Sequence, residues 1–142
     1  MKVASLTPTD IAGVINLWRR CGLVRPWNDP EADIALAQRD GNADVLIGRD
    51  GEAIVASVLV GHDGHRGWVY YVSVDPDHQR KDFGRAIMTA AEDWLRARGI
   101  EKLQLLVRGD NVPVKAFYES IGFGEQDRIV YAKWLDGRPP TP

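Results

Sequence analysis

Val72-Ser73-Val74-Asp75-Pro76-Asp77-His78-Gln79-Arg80-Lys81-Asp82-Phe83-Gly84-Arg85-Ala86 is the stretch that decides how this 142-residue chain folds. A strand ends there in an Asp-Pro pair, a short polar loop follows, and an amphipathic helix starts at Gly84. At such a start, backbone N–H groups without helical partners and the positive end of the helix dipole converge. Arg80, Lys81 and Arg85 add positive charge within one turn. The stretch therefore predicts an anion site suited to a pyrophosphate, and the alternative is a solvated basic loop.

Before this stretch, the sequence predicts a short strand, two helices and a three-stranded meander. The segment Thr7 to Asp10 is typical of a capping box with proline at the first helical position, and apolar residues follow at helical spacing as far as Cys21. A second helix runs from Pro30 to about Gln38, and an Asp50-Gly51 pair supplies the positive φ angles of a two-residue turn. The strands of the meander are Val45 to Arg49, Ala53 to Gly61 and Trp68 to Val74.

After this stretch, the sequence predicts two more strands and one more helix, which gives the order β-α-α-β-β-β-α-β-α-β. The helix that starts at Gly84 ends with cations and a glycine at Arg96 to Gly99. No linker or repeat interrupts residues 1–136, so we expect one domain there and a disordered tail over residues 137–142. The later elements are a strand at Leu103 to Val107, a helix at Val112 to Ile121 and a strand at Ile129 to Leu135.

Composition and charge describe an ordinary globular chain. Hydrophobic residues make up 44% and charged residues 27%, and the formal net charge is -2. Such a balance offers no overall field for a polyanion or an anionic membrane, so we expect neither nucleic acid nor membrane as a partner. The single cysteine, Cys21, fits a packed thiol in a reducing compartment, and without an apolar leader we expect a cytoplasmic protein.

Several common catalytic motifs are missing from the sequence. It contains no G-x-x-x-x-G-K-S/T, no G-x-S-x-G and no C-x-x-C. His62 and His65, with Asp63 between them, could suggest a metal, but they lack a third well-spaced ligand. We therefore predict no metal, and a loop that faces substrate or only solvent.

A second signature lies near the C-terminal end. Asn111 and Tyr118 stand two helical turns apart, and Gly122-Phe123 follows. Together with Gln79 to Gly84, which fits the pattern Q/R-x-x-G-x-G/A in part, these residues resemble the GNAT superfamily of N-acetyltransferases over residues 1–136. The segments Arg25 to Pro30 and Gly61 to Gly67 look like its small bacterial YpeA-type branch.

This resemblance implies a fold and an activity. The fold is an α/β GNAT fold, a three-layer α/β/α arrangement whose mixed, mostly antiparallel sheet is splayed at an acetyl-CoA cleft. The activity is acetyl-CoA-dependent transfer of an acetyl group to a primary amine of a small molecule or an exposed protein amine, by direct attack on the thioester. A non-catalytic CoA-sensing or interaction module on the same fold is the alternative, and a homodimer is left open.

The resemblance also implies roles for individual residues. The pantetheine arm would pair with the strand of Val72, Ser73 and Val74 and with Asn111, and Tyr118 would protonate the leaving thiolate. The remaining residues expected to bind the cofactor are Gln79, Arg80, Lys81, Asp82, Phe83, Gly84 and Arg85. The residues expected to bind the acceptor are Trp27, Asn28, Asp29, His65 and Tyr70.

Two positions depart from the pattern of the family. Asp82 stands where the first glycine of the phosphate motif is usual, which puts a carboxylate beside a pyrophosphate. Leu106 stands where members that acetylate protein N-termini often carry a glutamate. His65, Asp63, Asp29 or a chain of waters would then have to accept the proton of the amine.

Overall fold

A five-stranded sheet with strand order 1-2-3-4-5 forms the centre of residues 1–106 in a computed structural model that describes residues 1–141. The first four strands are antiparallel neighbours, and the fifth pairs in parallel with the fourth. The sheet is therefore mixed and mostly antiparallel, which confirms the prediction. The strands are β1 (Lys2–Ser5), β2 (Ala43–Asp50), β3 (Ala53–His62), β4 (Gly67–Val74) and β5 (Leu103–Gln104).

Residues 1–141 also contain four α-helices and two short 3-10 turns. The Asp10 carboxylate accepts hydrogen bonds from the N–H and the hydroxyl of Thr7, at 3.0 and 2.8 Å, so the predicted cap of the first helix is present. Asp29 caps the second helix, because its carboxylate accepts from the N–H of Ala32. The helices are α1 (Ile11–Arg20), α2 (Pro30–Arg39), α3 (Phe83–Arg96) and α4 (Val112–Ser120), and the 3-10 turns are Pro8–Asp10 and Pro76–His78.

Helices cover both faces of the sheet. One cluster of buried residues joins α1 and α2 to β2, with Trp18, Ile34 and Ile47 at its centre. Helix α3 packs against β2, β3 and β4, and none of its buried residues, such as Ile87 and Met88, belongs to that cluster. Since side chains alternate across a strand, α3 covers the opposite face. Residues 1–106 thus contain the predicted three layers.

Two of the predicted strands differ from the structure. The fifth strand ends at Gln104 instead of Val107, and residues 129–135 form no strand. The exposed fractions of Ile129, Tyr131 and Leu135 are 80, 91 and 92%. The prediction of a last strand is therefore wrong. An alternating apolar pattern describes a chain that can pair, but a strand forms only where another strand supplies hydrogen-bond partners.

The hairpin between β2 and β3 also differs slightly from its prediction. Asp50 is the last residue of β2 and pairs with Ala53, so the two turn residues are Gly51 and Glu52. Of these two, only Gly51 has a positive φ, at 62°. A single positive φ at the first turn position suits glycine there and leaves the second position to an ordinary residue.

Residues 1–106 form one compact unit, and the chain from Val107 onward forms a second. Within the second unit, the guanidinium of Arg138 lies 3.9 Å from the centre of the Trp134 ring, and the Trp134 indole donates to the carbonyl of Thr141. Pro142, the last residue of the predicted tail, lies outside the described residues. No helix among residues 1–141 is both long enough and apolar enough to span a bilayer. The single domain over residues 1–136 stays a prediction.

Candidate active site

The edge of β4 that faces β5 is open over most of its length. Within residues 1–141, strand β5 pairs only with Gly67 and Trp68, and no strand pairs with that edge of β4 from Val69 to Val74. The predicted pantetheine-binding residues Val72, Ser73 and Val74 lie in this part of β4. Backbone N–H and C=O groups along an unpaired edge can pair with an extended ligand as they would with another strand.

A bulge in β4 lies next to this open edge. Ser57 pairs with Ser73 but Leu59 pairs with Tyr70, so β4 holds one residue more than β3 between these two pairs. Tyr71 in the bulge has a φ of 54°, in the left-handed region that bulky residues rarely enter. Its conformation is held from both ends of the side chain. The Tyr71 ring stacks on Trp18 with centroids 3.9 Å apart, and its hydroxyl donates to Asp33 at 2.7 Å.

Tyr71 was missed by sequence reasoning, which selected its neighbour Tyr70. No glycine marks the bulge, so the positive φ carries no local signal. Burial, with a further effect from Asp33, raises the pKa of Tyr71 well above its usual range, so its hydroxyl stays protonated. Tyr70 is about half exposed, and burial followed by the charge of Asp63 raises its pKa as well.

The 3-10 turn Pro76–His78 and the loop from Gln79 to Asp82 connect β4 to α3. Arg80 and Asp82 both adopt left-handed backbone conformations, with φ of 66° and 59°. Asp82 is the N-cap of α3, yet its carboxylate makes no capping hydrogen bond. A non-glycine residue in this conformation costs about 1 kcal/mol or more, which explains physically why a glycine suits this position.

The first turn of α3 presents free backbone donors. The first helical hydrogen bond runs from the N–H of Ala86 to the carbonyl of Asp82. The N–H groups of Phe83, Gly84 and Arg85 precede it and have no partner within the helix. Together with the helix dipole they can hold an anion, next to the exposed cationic side chains of Arg80 and Arg85, and the predicted phosphate site stays a prediction.

An ion pair between buried Asp75 and exposed Arg20 fixes the point at which the chain leaves β4. Asp75 is 5% exposed, and both of its carboxylate oxygens accept from Arg20 of α1 at 2.9 Å. The N–H of Asp77 donates to the same carboxylate, and Nδ1 of His78 lies 3.4 Å from it. The Arg20 guanidinium lowers the pKa of Asp75 to about 2. Beside this pair, the Cys21 thiol donates to the carbonyl of Val74, and burial raises its pKa.

The residues predicted to bind the acceptor lie in two loops and one strand. Trp27 is half-buried and Asn28 is exposed, both in the loop before α2, and exposed His65 lies in the loop between β3 and β4. Tyr70 lies on β4, and Asp29 is engaged as the cap of α2. Their common role in binding an acceptor stays a prediction.

Asp63 has a structural role in the loop between β3 and β4. Its carboxylate accepts from the N–H groups of Arg66 and His65, at 2.8 and 2.9 Å, and from the indole of Trp68. The backbone hydrogen bonds from Arg66 and His65 hold the pKa of Asp63 below its usual range. A carboxylate stabilised in this way is a weaker base than an ordinary one.

In the second unit, α4 carries the other signature. Asn111 caps the helix, since its side-chain oxygen accepts from the N–H of Val114 at 3.3 Å. Tyr118 is the only buried side chain among residues 107–141, and it meets Phe117 and Phe123 edge to face. Burial raises the pKa of Tyr118 to about 12. Its hydroxyl therefore carries a proton throughout the neutral range.

The described part of the chain contains no group of side chains arranged to bind a metal ion. Among residues 1–141, no three His, Cys, Asp or Glu side chains gather in a way that could hold a metal ion. His62 instead accepts the N–H of Gly64 through Nδ1, within its own loop.

Comparison with known proteins identifies the family. The model of the acetyltransferase (GNAT) family matches residues 11–123. An acetyltransferase of Yersinia enterocolitica is 41% identical over 135 residues, which cover 95% of this chain and 96% of that protein. The crystal structure of the ribosomal-protein-S18-alanine N-acetyltransferase from Escherichia coli matches with a TM-score of 0.75 at 28% identity, over 96% of this chain and 86% of that one.

A further solved structure shows the shared fold at low identity. AAC(6')-Iy, in complex with the bisubstrate analog CoA-S-monomethyl-acetylneamine, matches with a TM-score of 0.80 at 13% identity, over 94% of this chain and 97% of that one. The predicted resemblance and the predicted fold class are thereby confirmed.

Proposed function

The chain belongs to the GNAT acetyltransferase family and is an N-acetyltransferase. We propose that it acetylates a primary amine of a small molecule or an exposed protein amine. In this reaction the amine attacks the thioester of acetyl-CoA directly. The observation that carries this proposal is the unpaired edge of β4, which is followed, after a 3-10 turn and a short loop, by the free backbone donors at the start of α3. A strand edge for an extended arm and a helix start for a pyrophosphate suit the two ends of one CoA molecule.

Different parts of residues 72–85 would bind different parts of acetyl-CoA. The backbone of Val72, Ser73 and Val74 would pair with the amides of the pantetheine arm. The pyrophosphate would accept from the N–H groups at the start of α3, and Arg80 and Arg85 would add charge that is screened because both side chains are exposed. The acyl carbon would then lie beside the bulge at Tyr71, where β4 changes register.

Tyr118 is our proposed donor to the leaving group. As the thioester breaks, negative charge develops on the sulfur of CoA, and a neutral hydroxyl can donate to it. A tyrosine with a pKa of about 12 is a much weaker acid than a thiol, whose pKa is near 8.5. It therefore stabilises the developing thiolate by a hydrogen bond and leaves full protonation to solvent.

The proton of the attacking amine has fewer acceptors than the sequence suggested. Asp63 is tied to two backbone N–H groups and has a lowered pKa, and Asp29 is tied to the cap of α2. We therefore propose that His65 or a chain of waters accepts this proton. Comparison of kcat/KM between the parent protein and His65→Gln would separate the two, since only a histidine base is lost in that substitution.

Two measurements test the function. Acetyl-CoA at millimolar concentration should bind in calorimetry and raise the melting temperature, because a ligand of the native state stabilises that state. A panel of small amines and of peptides with a free α-amine, followed by thiol release, then identifies the acceptor. The absence of binding contradicts the proposal. Binding without turnover on any amine favours the CoA-sensing alternative. That alternative is considered because Asp82 puts a carboxylate in the phosphate motif.

The setting of the reaction is also proposed. A single cysteine whose thiol is packed against β4 fits a reducing compartment, so we expect the cytoplasm. Sedimentation of the purified chain would distinguish a monomer from a homodimer.

A further inference from the structure

The ion pair between Arg20 and Asp75 makes none of the proposed contacts with CoA. It lies at the end of β4, just before the proposed phosphate-binding loop. We propose that Arg20 and Asp75 are positioning residues for CoA, which align the start of α3 with the pyrophosphate by fixing how the chain leaves β4. This inference rests on the proposed function, because it concerns the same cofactor site.

The bonds around Asp75 constrain the chain on both sides of this residue. Its backbone N–H donates to the carbonyl of Val55 in β3, and its backbone carbonyl accepts from His78. Its side chain accepts from Asp77 and from both terminal nitrogens of Arg20. A bidentate pair fixes orientation as well as distance. The 3-10 turn Pro76–His78 is therefore tied to β3, to β4 and to α1 at once.

The loop that follows has little support of its own. Within residues 1–141, none of the side chains from Gln79 to Asp82 makes a hydrogen bond or an ion pair. Two of its four residues are also in the left-handed region, which is unfavourable for arginine and aspartate. An exposed and strained loop without side-chain hydrogen bonds or ion pairs depends on its two ends for its conformation. One end is α3, and the other is the Arg20–Asp75 pair.

The burial of Asp75 beneath the exposed Arg20 argues for this positional role. An ion pair with one exposed partner contributes little net stability, whereas loss of Arg20 leaves the buried carboxylate of Asp75 without its countercharge. Its value at this place is the geometry that it imposes. The pair Arg49–Asp10 has the same chemistry, with Asp10 buried and Arg49 Nη2 at 2.6 Å from Asp10 Oδ1, but it lies at the start of α1. It serves as a matched control.

The test compares three variants, Arg20→Met, Asp75→Asn and the double variant, with Arg49→Met. Calorimetry measures CoA affinity, and NMR titration at millimolar ligand measures acetyl-pantetheine, which has no pyrophosphate. We expect both single variants to weaken CoA about tenfold and the double variant to be no weaker than either one, since a small misplacement of binding groups is costly and coupled sites are not additive. Acetyl-pantetheine affinity should stay within about twofold, and Arg49→Met should bind CoA like the parent protein.

The direction in which Asp75→Asn changes CoA affinity distinguishes a positioning role of the pair from a direct effect of its charges. If the pair acted only through its field on the phosphates, removal of the carboxylate would tighten CoA binding and removal of the guanidinium would weaken it. Amide resonances of Gly84 and Arg85 provide a second readout, since they should shift in Asp75→Asn and not in Arg49→Met. Opposite signs, or unchanged CoA affinity in a folded Asp75→Asn, would overturn the inference. Failure of the parent protein to bind CoA would instead contradict the proposed function.

Discussion

Residues 1–106 and residues 107–141 differ in what holds them. In the first region, all five strands have partners and every helix contributes buried residues. In the second region, Tyr118 is the only buried side chain, and the apolar residues Ile129, Tyr131 and Leu135 are 80 to 92% exposed. Both regions carry clear apolar patterns in the sequence. Only in the first does the structure cover them.

This contrast shows that an apolar sequence pattern predicts which secondary structure a segment can form. The pattern does not predict which other segments will pack against it and bury it. The alternating residues of β3 are sandwiched between helices on the two faces of the sheet and lie between β2 and β4. Residues 129–135 have a similar pattern but no paired strand. If the two regions differ in how far their apolar side chains are buried, substitutions in the first region should lower the free energy of unfolding much more than substitutions in the second.

The largest effect is expected for Trp18→Ala in the first region. Trp18 is fully buried, donates to Ser57 at 3.3 Å and stacks on Tyr71. Loss of this side chain should lower the free energy of unfolding by about 3 to 5 kcal/mol, because a cavity replaces a large aromatic group. Urea unfolding measures the change. Leu36→Ala, at a position 58% exposed in α2, is the control and should cost less than about 1 kcal/mol.

The next effect concerns Tyr118→Phe, the buried residue of the second region. The change keeps the ring between Phe117 and Phe123 and removes only the hydroxyl. Once an acceptor is known, kcat should fall about 100-fold, equivalent to about 2.7 kcal/mol, with little change in acetyl-CoA affinity. The unfolding free energy should change by less than about 1 kcal/mol. An unchanged kcat would assign Tyr118 to packing alone.

Asp75→Asn should change how stability depends on acid. The pKa of Asp75 is lowered to about 2 in the folded protein, so its stabilising effect is complete above its unfolded pKa near 3.9. That effect is lost as the pH falls through about 2. The parent protein should therefore lose about 1 to 2 kcal/mol between pH 5 and pH 2 from this group, allowing for solvent around Arg20. In Asp75→Asn this part of the loss should be absent when urea midpoints are compared across the same range.

Asp82→Gly tests strain in the loop before α3. Glycine enters the left-handed region freely, and the change also removes a carboxylate that caps nothing. We expect up to about 1 kcal/mol of added stability and a CoA affinity that rises or stays level. Thermal unfolding and calorimetry give the two values. A clear loss of affinity would show that the carboxylate makes a useful bond with the ligand.

The smallest effect is expected for Tyr131→Ser in the second region. The Tyr131 side chain is 91% exposed, so its removal should change the unfolding free energy by less than about 0.5 kcal/mol. Paired urea titrations of the variant and the parent protein resolve such a difference. A loss above about 1 kcal/mol would mean that residues 129–135 are covered in solution, and it would weaken the contrast between the two regions.

Much of the fold and part of the site could be predicted from the sequence. Thr7 to Asp10 marked the start of α1, and the strands of the meander followed from period-two patterns, because such signals act between residues close in the chain. The start of α3 followed from the polar loop and the amphipathic pattern after it, while anion binding there stays a prediction. The family followed from two motifs with fixed spacing.

The sequence by itself thus determined the helices, the meander and the start of α3 after a polar loop, since each depends on local periodicity, caps and turn residues. Only the tertiary structure decided the bulge at Tyr71, the pairing of Arg20 with Asp75 and the unpaired state of residues 129–135. Arg20 and Asp75 are far apart in the chain, and Tyr71 adopts its positive φ because Trp18 and Asp33 hold its side chain. Contacts between distant residues cannot be deduced from local patterns, because the free energy that selects them arises only when the layers pack together.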